Sequence, residues 1–148
     1  MDVDAILFAL LSPARRELLR RLSRAPQYPL GLSRALGLSP QAIVKHLYVL
    51  EEAGLVEQVG QVRGGLGAPR TYYGLSRSVS VYVDIGPGLF SLSVEEWPGD
   101  VGLGPDPVRE LERIEKRLRE LEEERLRLLR AKSELMRRLG LLRELHSL

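Results

Sequence analysis

Leu38-Ser39-Pro40-Gln41-Ala42-Ile43-Val44-Lys45-His46-Leu47-Tyr48-Val49-Leu50-Glu51-Glu52-Ala53-Gly54-Leu55-Val56 is the stretch on which the fold turns. Ser39 before Pro40 is a helix start: the hydroxyl caps a free backbone N–H, and proline sits where its missing N–H costs nothing. Gly54 supplies the stop, because glycine takes the left-handed turn that follows many helices. At 100° per residue, Ile43, Leu47 and Leu50 share one side of this helix, and Gln41, Val44, Lys45 and Tyr48 share the other. One side is built to pack and the other is offered outward. The exposed set holds an amide suited to base edges, a cation suited to phosphate or guanine, a phenol, and a valine suited to a thymine methyl. Ser39 and Pro40 head the helix, where the hydroxyl and the first-turn N–H groups form a phosphate clamp.

Upstream, three shorter helical periods are expected. Asp2 or Asp4 caps the first, which runs through Leu11; Ser12-Pro13 starts the second, which runs to about Arg24; and the third spans about Leu30 to Leu36, ending at Gly37. On the second helix Leu18, Leu19 and Leu22 form the packing stripe, and Arg15, Arg16, Arg20, Arg21 and Arg24 occupy the remaining surface. Downstream of Gly54 the period changes to alternation. Leu55 to Arg63 reads as a strand, Gly64 to Arg70 as an irregular tip, and Thr71 to Leu75 as the returning strand. Short helices with a tight turn before the last, followed at once by a hairpin, give the order of a winged helix-turn-helix. Arg63 and Arg70 flank the glycine-rich tip, where the backbone can approach a phosphate ladder, and Arg77 adds a further cation. Gly64, Gly65 and Gly67 do not make a nucleotide loop, because no helix starts there and no Lys-Ser/Thr follows.

Charge supports the same reading. The 148-residue chain has net charge +2, yet Arg15 to Arg77 holds nine Arg and Lys45 against Glu17, Glu51, Glu52 and Glu57, a local net of +6. A second alternation, Val79-Val81-Val83-Ile85 and then Phe90-Leu92-Val94, suggests another hairpin with one apolar face. Pro87 to Val108 is acidic and rich in Gly and Pro, and marks a linker. Asp106-Pro107 is again a cap and helix start, opening a stretch of Leu, Glu and Arg that has the composition of a long helix or coiled coil. Written in sevens, its seam is Leu111, Ile114, Leu118, Leu121, Arg125, Leu128, Lys132, Leu135, Leu139 and Leu142. The two cations fall mid-helix, so the heptad stutters or the helix meets a second surface there. Glu112 and Lys116, Glu115 and Arg119, and Glu123 and Arg127 are spaced for ion pairs along it.

The expected architecture is mainly α with a small β part. A winged helix-turn-helix domain spans residues 1–86, a hairpin and linker 87–105, and a dimerising coiled-coil helix 106–148. Cysteine is absent and His46 and His146 are the sole imidazoles, which excludes thiolate sites, disulfides and most metal or acid-base chemistry. No metal, cofactor, membrane span or enzyme activity is expected. A cytoplasmic protein is, since no apolar run approaches a bilayer's thickness and no leader opens the chain. Asn is missing and Thr occurs once, a depletion suited to a thermophile, although the 19 Arg to 3 Lys do not follow the usual hyperthermophile bias.

Ser12-Pro13-Ala14-Arg15-Arg16-Glu17-Leu18-Leu19 together with the His46-Leu47-Tyr48-Val49-Leu50-Glu51-Glu52-Ala53-Gly54-Leu55-Val56 run resembles the ArsR-type winged helix-turn-helix repressors. The similarity extends from about Asp4 to Leu75. Pro69-Arg70-Thr71-Tyr72-Tyr73 with Ser76-Arg77-Ser78 resembles the wing of archaeal members, some of which append a coiled coil. The resemblance implies a homodimeric DNA-binding regulator with Gln41, Ala42, Val44 and Lys45 facing the groove. The family's metal sensors carry ligands on the third or last helix; here the third reads Leu30-Gly31-Leu32-Ser33-Arg34-Ala35-Leu36, with no ligand set. The position two before His46, commonly serine in the family, is Val44, and His46 itself reads as a structural, hydrogen-bonded histidine. DNA-binding candidates are therefore Ser39, Pro40, Gln41, Ala42, Val44, Lys45, Tyr48, Arg63, Arg70 and Arg77. The expected partners are a palindromic or near-palindromic duplex and a second copy of the chain, with the effector unassigned. A non-specific DNA-coating protein and a winged-helix protein adaptor are the competing readings.

Overall fold

The computed structural model describes residues 1–147, with Leu142 and Leu145 described through their backbone alone. The chain divides into two compact units, Met1–Val79 and the residues from Ser80 onward.

The first unit carries α1 (Val3–Leu10), α2 (Pro13–Leu22), α3 (Pro29–Leu36), α4 (Pro40–Glu52), β1 (Val56–Val62) and β2 (Arg70–Leu75). Helix starts are set by local chemistry. Asp2, Ser12 and Ser39 each accept a hydrogen bond from the backbone N–H three residues on, at 3.1, 3.3 and 3.1 Å. Gly37 (φ 67°) and Gly54 (φ 74°) take the left-handed conformation that ends α3 and α4. The core is apolar and continuous in composition: Ile6, Ala9, Leu18, Leu22, Leu32, Ile43, Leu47, Leu50, Ala53, Leu55 and Val56 are all buried. Each large aliphatic member contributes about 1.5 to 3 kcal/mol relative to exposure. Pairing of β1 with β2 is antiparallel, from Val56 opposite Leu75 to Val62 opposite Arg70, with a bulge between Gln58 and Gly60. A Cβ on Gly74 would stand 3.0 Å from Cγ1 of the bulged Val59, so glycine there makes room for the irregularity. On the other side of β2, Gln27 and Tyr73 exchange two backbone hydrogen bonds of 3.0 and 2.7 Å. Helices followed by this wing make a winged helix-turn-helix.

The second unit holds β3 (Val79–Gly86), β4 (Leu89–Glu96) and the long α5 (Pro107–Ser147). Within it β3 bonds to β4 as a two-stranded hairpin. Asp106 caps α5 through a 3.2 Å bond from the Arg109 N–H. Arg125 Nη2 donates to both carboxylate oxygens of Asp84, at 2.7 and 2.8 Å, and the guanidinium lies 4.6 Å from the centre of the Tyr82 ring. The Ser133 hydroxyl donates to the Pro87 carbonyl at 2.6 Å, and a Cβ on Gly88 (φ 72°) would meet the Arg137 backbone nitrogen at 2.6 Å. The turn of the hairpin thus rests directly on α5. Of the two mid-seam cations, Arg125 meets this second surface, and beside it Val83, Ile85 and Leu89 line an open hollow with Leu126 and Leu129 of α5. Val83 and Ile85, on the alternate side of β3, stay exposed. Among the described residues, the ion pairs along α5 are also not the expected ones: Glu110 pairs with Arg113, Glu120 with Arg117, Glu122 with Arg125, and Glu134 with Arg137 and Arg138. Such exposed pairs contribute little each, so the change of partner has small energetic weight. Seam residues Leu111, Ile114, Leu118, Leu121, Leu128, Leu135 and Leu139 are exposed, and the side chain of Leu142 lies outside the described residues.

Candidate nucleic-acid interface

Burial divides α4 as its periodicity requires. Ile43, Leu47 and Leu50 are at most 1% exposed, whereas Val44 and Tyr48 are 50% and 60% exposed. Pro40, Gln41 and Lys45 are exposed beside them, and Ala42 is half-buried. The Ser39 hydroxyl is exposed and accepts from the Ala42 N–H, which leaves its own O–H free to donate to an anion. No other hydrogen bond or ion pair engages Gln41 or Lys45 side chains among the described residues, so both are available to a ligand.

What seats α4 is a residue the sequence reading put on the surface. Arg15 is buried, not solvated. Its Nε donates to the Ala9 carbonyl at 2.7 Å and its Nη2 to the Phe8 carbonyl at 2.8 Å, the latter also accepting the Leu11 N–H, so the guanidinium closes the end of α1. Its Nη1 lies 3.4 Å from His46 Nδ1 on α4. Guanidinium only donates, so Nδ1 accepts and the imidazole proton resides on Nε2. His46 has its pKa lowered, first by burial and then by the neighbouring Arg15 charge. A neutral histidine is therefore the state in which α1, α2 and α4 are tied together, in agreement with the structural role expected for it. Elsewhere on α2, Arg20 and Arg21 share Glu17 at 2.9 and 3.6 Å, which draws two cations away from any anion.

The wing places Arg70 at the start of β2 and Arg63 just after β1, both exposed at the glycine-rich tip. Arg70 is held in a way no local pattern announced: its guanidinium lies 4.5 Å from the centre of the Tyr28 ring, and Tyr28 in turn contacts Tyr72 at 5.4 Å. A Cβ on Gly31 would come within 3.1 Å of Tyr28, so the glycine keeps that ring seated. The stack leaves the edge of the guanidinium open to phosphate while restricting its rotamers. Arg77 is exposed beyond the end of β2. The signal for Tyr28 was its position beside the break at Pro26 and Pro29; the signal for Arg15 was its place three residues after the Ser12 cap.

Among the described residues no helix is long and apolar enough to cross a membrane, and no group of three or more His, Asp or Glu side chains is placed to hold a metal ion.

Residues 10–59 match the helix-turn-helix domain family, from the end of α1 through the first half of the wing. The chain is similar to three solved structures of ArsR character. An ArsR family transcriptional regulator is 29% identical, over 49% of this chain and 68% of its own, with a TM-score of 0.39. The homodimeric winged helix-turn-helix DNA-binding domain of a possible ArsR-family transcriptional regulator from Mycobacterium bovis is 26% identical over 50% and 63%, with a TM-score of 0.42. An ArsR-like transcriptional regulator from Rhodococcus sp. RHA1 is 26% identical over 90% and 88%, with a TM-score of 0.43. No curated protein matches the chain.

Proposed function

We propose that this helix-turn-helix protein is a homodimeric, sequence-specific regulator of transcription of the ArsR type, acting in the cytoplasm as a repressor that occludes a promoter. The observation that carries the reading is α4 itself. A helix whose inner face is fully buried presents Gln41, Val44, Lys45 and Tyr48 outward from a Ser39-capped N-terminus, the element that in such folds enters the major groove. Gln41 and Lys45 read base edges, Val44 meets a thymine methyl, and Ser39 with the first-turn N–H groups holds a phosphate. Pro40 and Ala42 keep that first turn close to the backbone of the duplex. Arg63 and Arg70 on the wing, with Arg77, bind phosphates without regard to sequence. Two copies related by a two-fold axis present two α4 helices about 34 Å apart, and so require a palindromic or near-palindromic operator. The mechanism needs binding alone, with no bond made or broken. Residues 1–86 are proposed as the DNA-reading part, 87–105 as hairpin and linker, and 106–148 as the dimerising part through Leu111 to Leu142 of the seam.

The local charge of +6 between Arg15 and Arg77 also favours a second reading, a DNA-coating protein without base preference. Selection from a random duplex pool at several salt concentrations separates the two. A two-fold symmetric enriched motif supports the regulator, and steep salt dependence with no enriched motif supports the coating protein. Absence of binding at low salt defeats both and leaves the protein adaptor.

A further inference from the structure

We infer that the free face of α5 pairs antiparallel with α5 of a second copy, in the register that sets Leu118 level with Leu135, Arg125 with Leu128, and Lys132 with Leu121. The inference deepens the dimer of the proposed regulator and rests on it.

The hairpin occupies one flank of α5 through Asp84 on Arg125 and the Pro87 carbonyl on Ser133. The adjoining flank carries Leu121, Leu128 and Leu135, which are 44%, 63% and 59% exposed. Along this flank lies an open hollow of about 400 Å³ lined by Leu121, Glu124, Arg125, Leu128, Leu129 and Lys132. Residues at i, i+3, i+4 and i+7 form the four-sided hole that receives one side chain of a facing helix. In the inferred register Leu128 of each copy enters this hole of the other, and the two-fold rotation repeats the contact on both sides.

Charge and length choose the direction. Parallel, in-register pairing stacks Arg125 on Arg125 and Lys132 on Lys132, two like-charged layers in the middle of the seam. The antiparallel register sets each against leucine and puts Lys132 beside Glu122 of the second copy, next to Leu121. Arg125 needs no further counterion, because Asp84 of its own chain draws the guanidinium aside and leaves the aliphatic stem to pack on Leu128. The two-fold axis then passes between Leu126 and Arg127, close to the middle of Pro107–Ser147. Two helices of about 60 Å therefore overlap along nearly their whole length.

The chain has no cysteine, so single introduced thiols report distance cleanly. Leu118→Cys and Leu135→Cys are prepared separately, mixed through an unfolding and refolding step, and treated with a short bismaleimide. The expected result is a covalent dimer in the mixture and none from either variant alone, since identical positions lie about 25 Å apart in this register. Covalent dimer from either variant alone, or none in the mixture, overturns the register. A second test does not depend on the leucines. Lys132→Glu should weaken self-association several-fold in sedimentation, and Glu122→Lys added to it should restore the dimer; failure to restore overturns the pairing. Duplex binding by the unmodified chain is measured alongside. A specific duplex bound without the 118 to 135 link defeats the register and spares the regulator, and the link without duplex binding does the reverse.

Discussion

The two units of this chain hold themselves together by opposite means. All the buried apolar side chains among the described residues lie at or before Val56, whereas in the second unit Ser133 is the buried residue and the hairpin meets its helix through an ion pair, a hydroxyl and a close backbone contact. A closed apolar core drives folding by itself. Polar contacts on a long exposed helix set geometry but leave the apolar surface in water. The first unit therefore closes a core within one chain, although Phe8 and Leu11 stay exposed on it, and the leucines of the second call for a cover from outside.

The sharpest way to break the contrast is to remove a side chain from each region. Leu47→Ala, at a position 1% exposed, should cost about 2 to 5 kcal/mol in urea unfolding of the first unit. Leu128→Ala, 63% exposed, should leave that transition unchanged; a shared loss would mean that the units fold as one. Next in size are the effects on the duplex. Gln41→Ala should cost about 1 to 3 kcal/mol at selected base pairs, whereas Arg70→Ala should weaken all duplexes alike and lower the salt slope by about one. Equal loss from both on every sequence contradicts the division between reading helix and wing.

Acid should separate the units further. Unfolded His46 takes a proton near pH 6.5, while in the folded chain its pKa is lowered, first by burial and then by Arg15. The unfolded state then binds more protons, so stability of the first unit falls as pH drops below about 6.5 and levels off once the folded histidine has also titrated. His46→Gln should flatten that window in urea midpoints taken between pH 7.5 and 5. In the second unit the Glu134 carboxyl is lowered to about 2 by hydrogen bonds from Arg137 and Arg138. Its contribution is present above pH 4.5, the ordinary value, and is lost as pH falls toward about 2. Helicity of α5 should accordingly persist through the histidine window. The smallest effect concerns the hairpin: Asp84→Asn should speed amide exchange in β3 and β4 while protection in α1 to α4 stays as it was.

Elements set by near neighbours were readable from the sequence alone. Ser39-Pro40 and Gly54 bound α4 by local capping and backbone freedom, and its outward residues follow from its period, so the candidate reading face was legible residue by residue. Arg15 was not, because a guanidinium at the edge of an amphipathic helix looks solvated until the carbonyls of Phe8 and Ala9 are brought over it. Tyr28 beneath Arg70 and Asp84 on Arg125 join residues 42 and 41 positions apart. Alternation announced that the second hairpin has two unlike faces, but nothing local says that Tyr82 and Asp84 meet Arg125.

The bulge at Val59 has a consequence for how copies of this protein behave at high concentration. The outer edge of β1 carries backbone donors and acceptors that no strand among the described residues takes up, which is the kind of border along which unrelated sheets fuse into aggregates. A straight incoming strand would lose step with that border between Gln58 and Gly60, and the exposed Arg63 of every copy would repel the next. The irregularity that makes room for itself at Gly74 also keeps the wing from serving as a template for fibril growth.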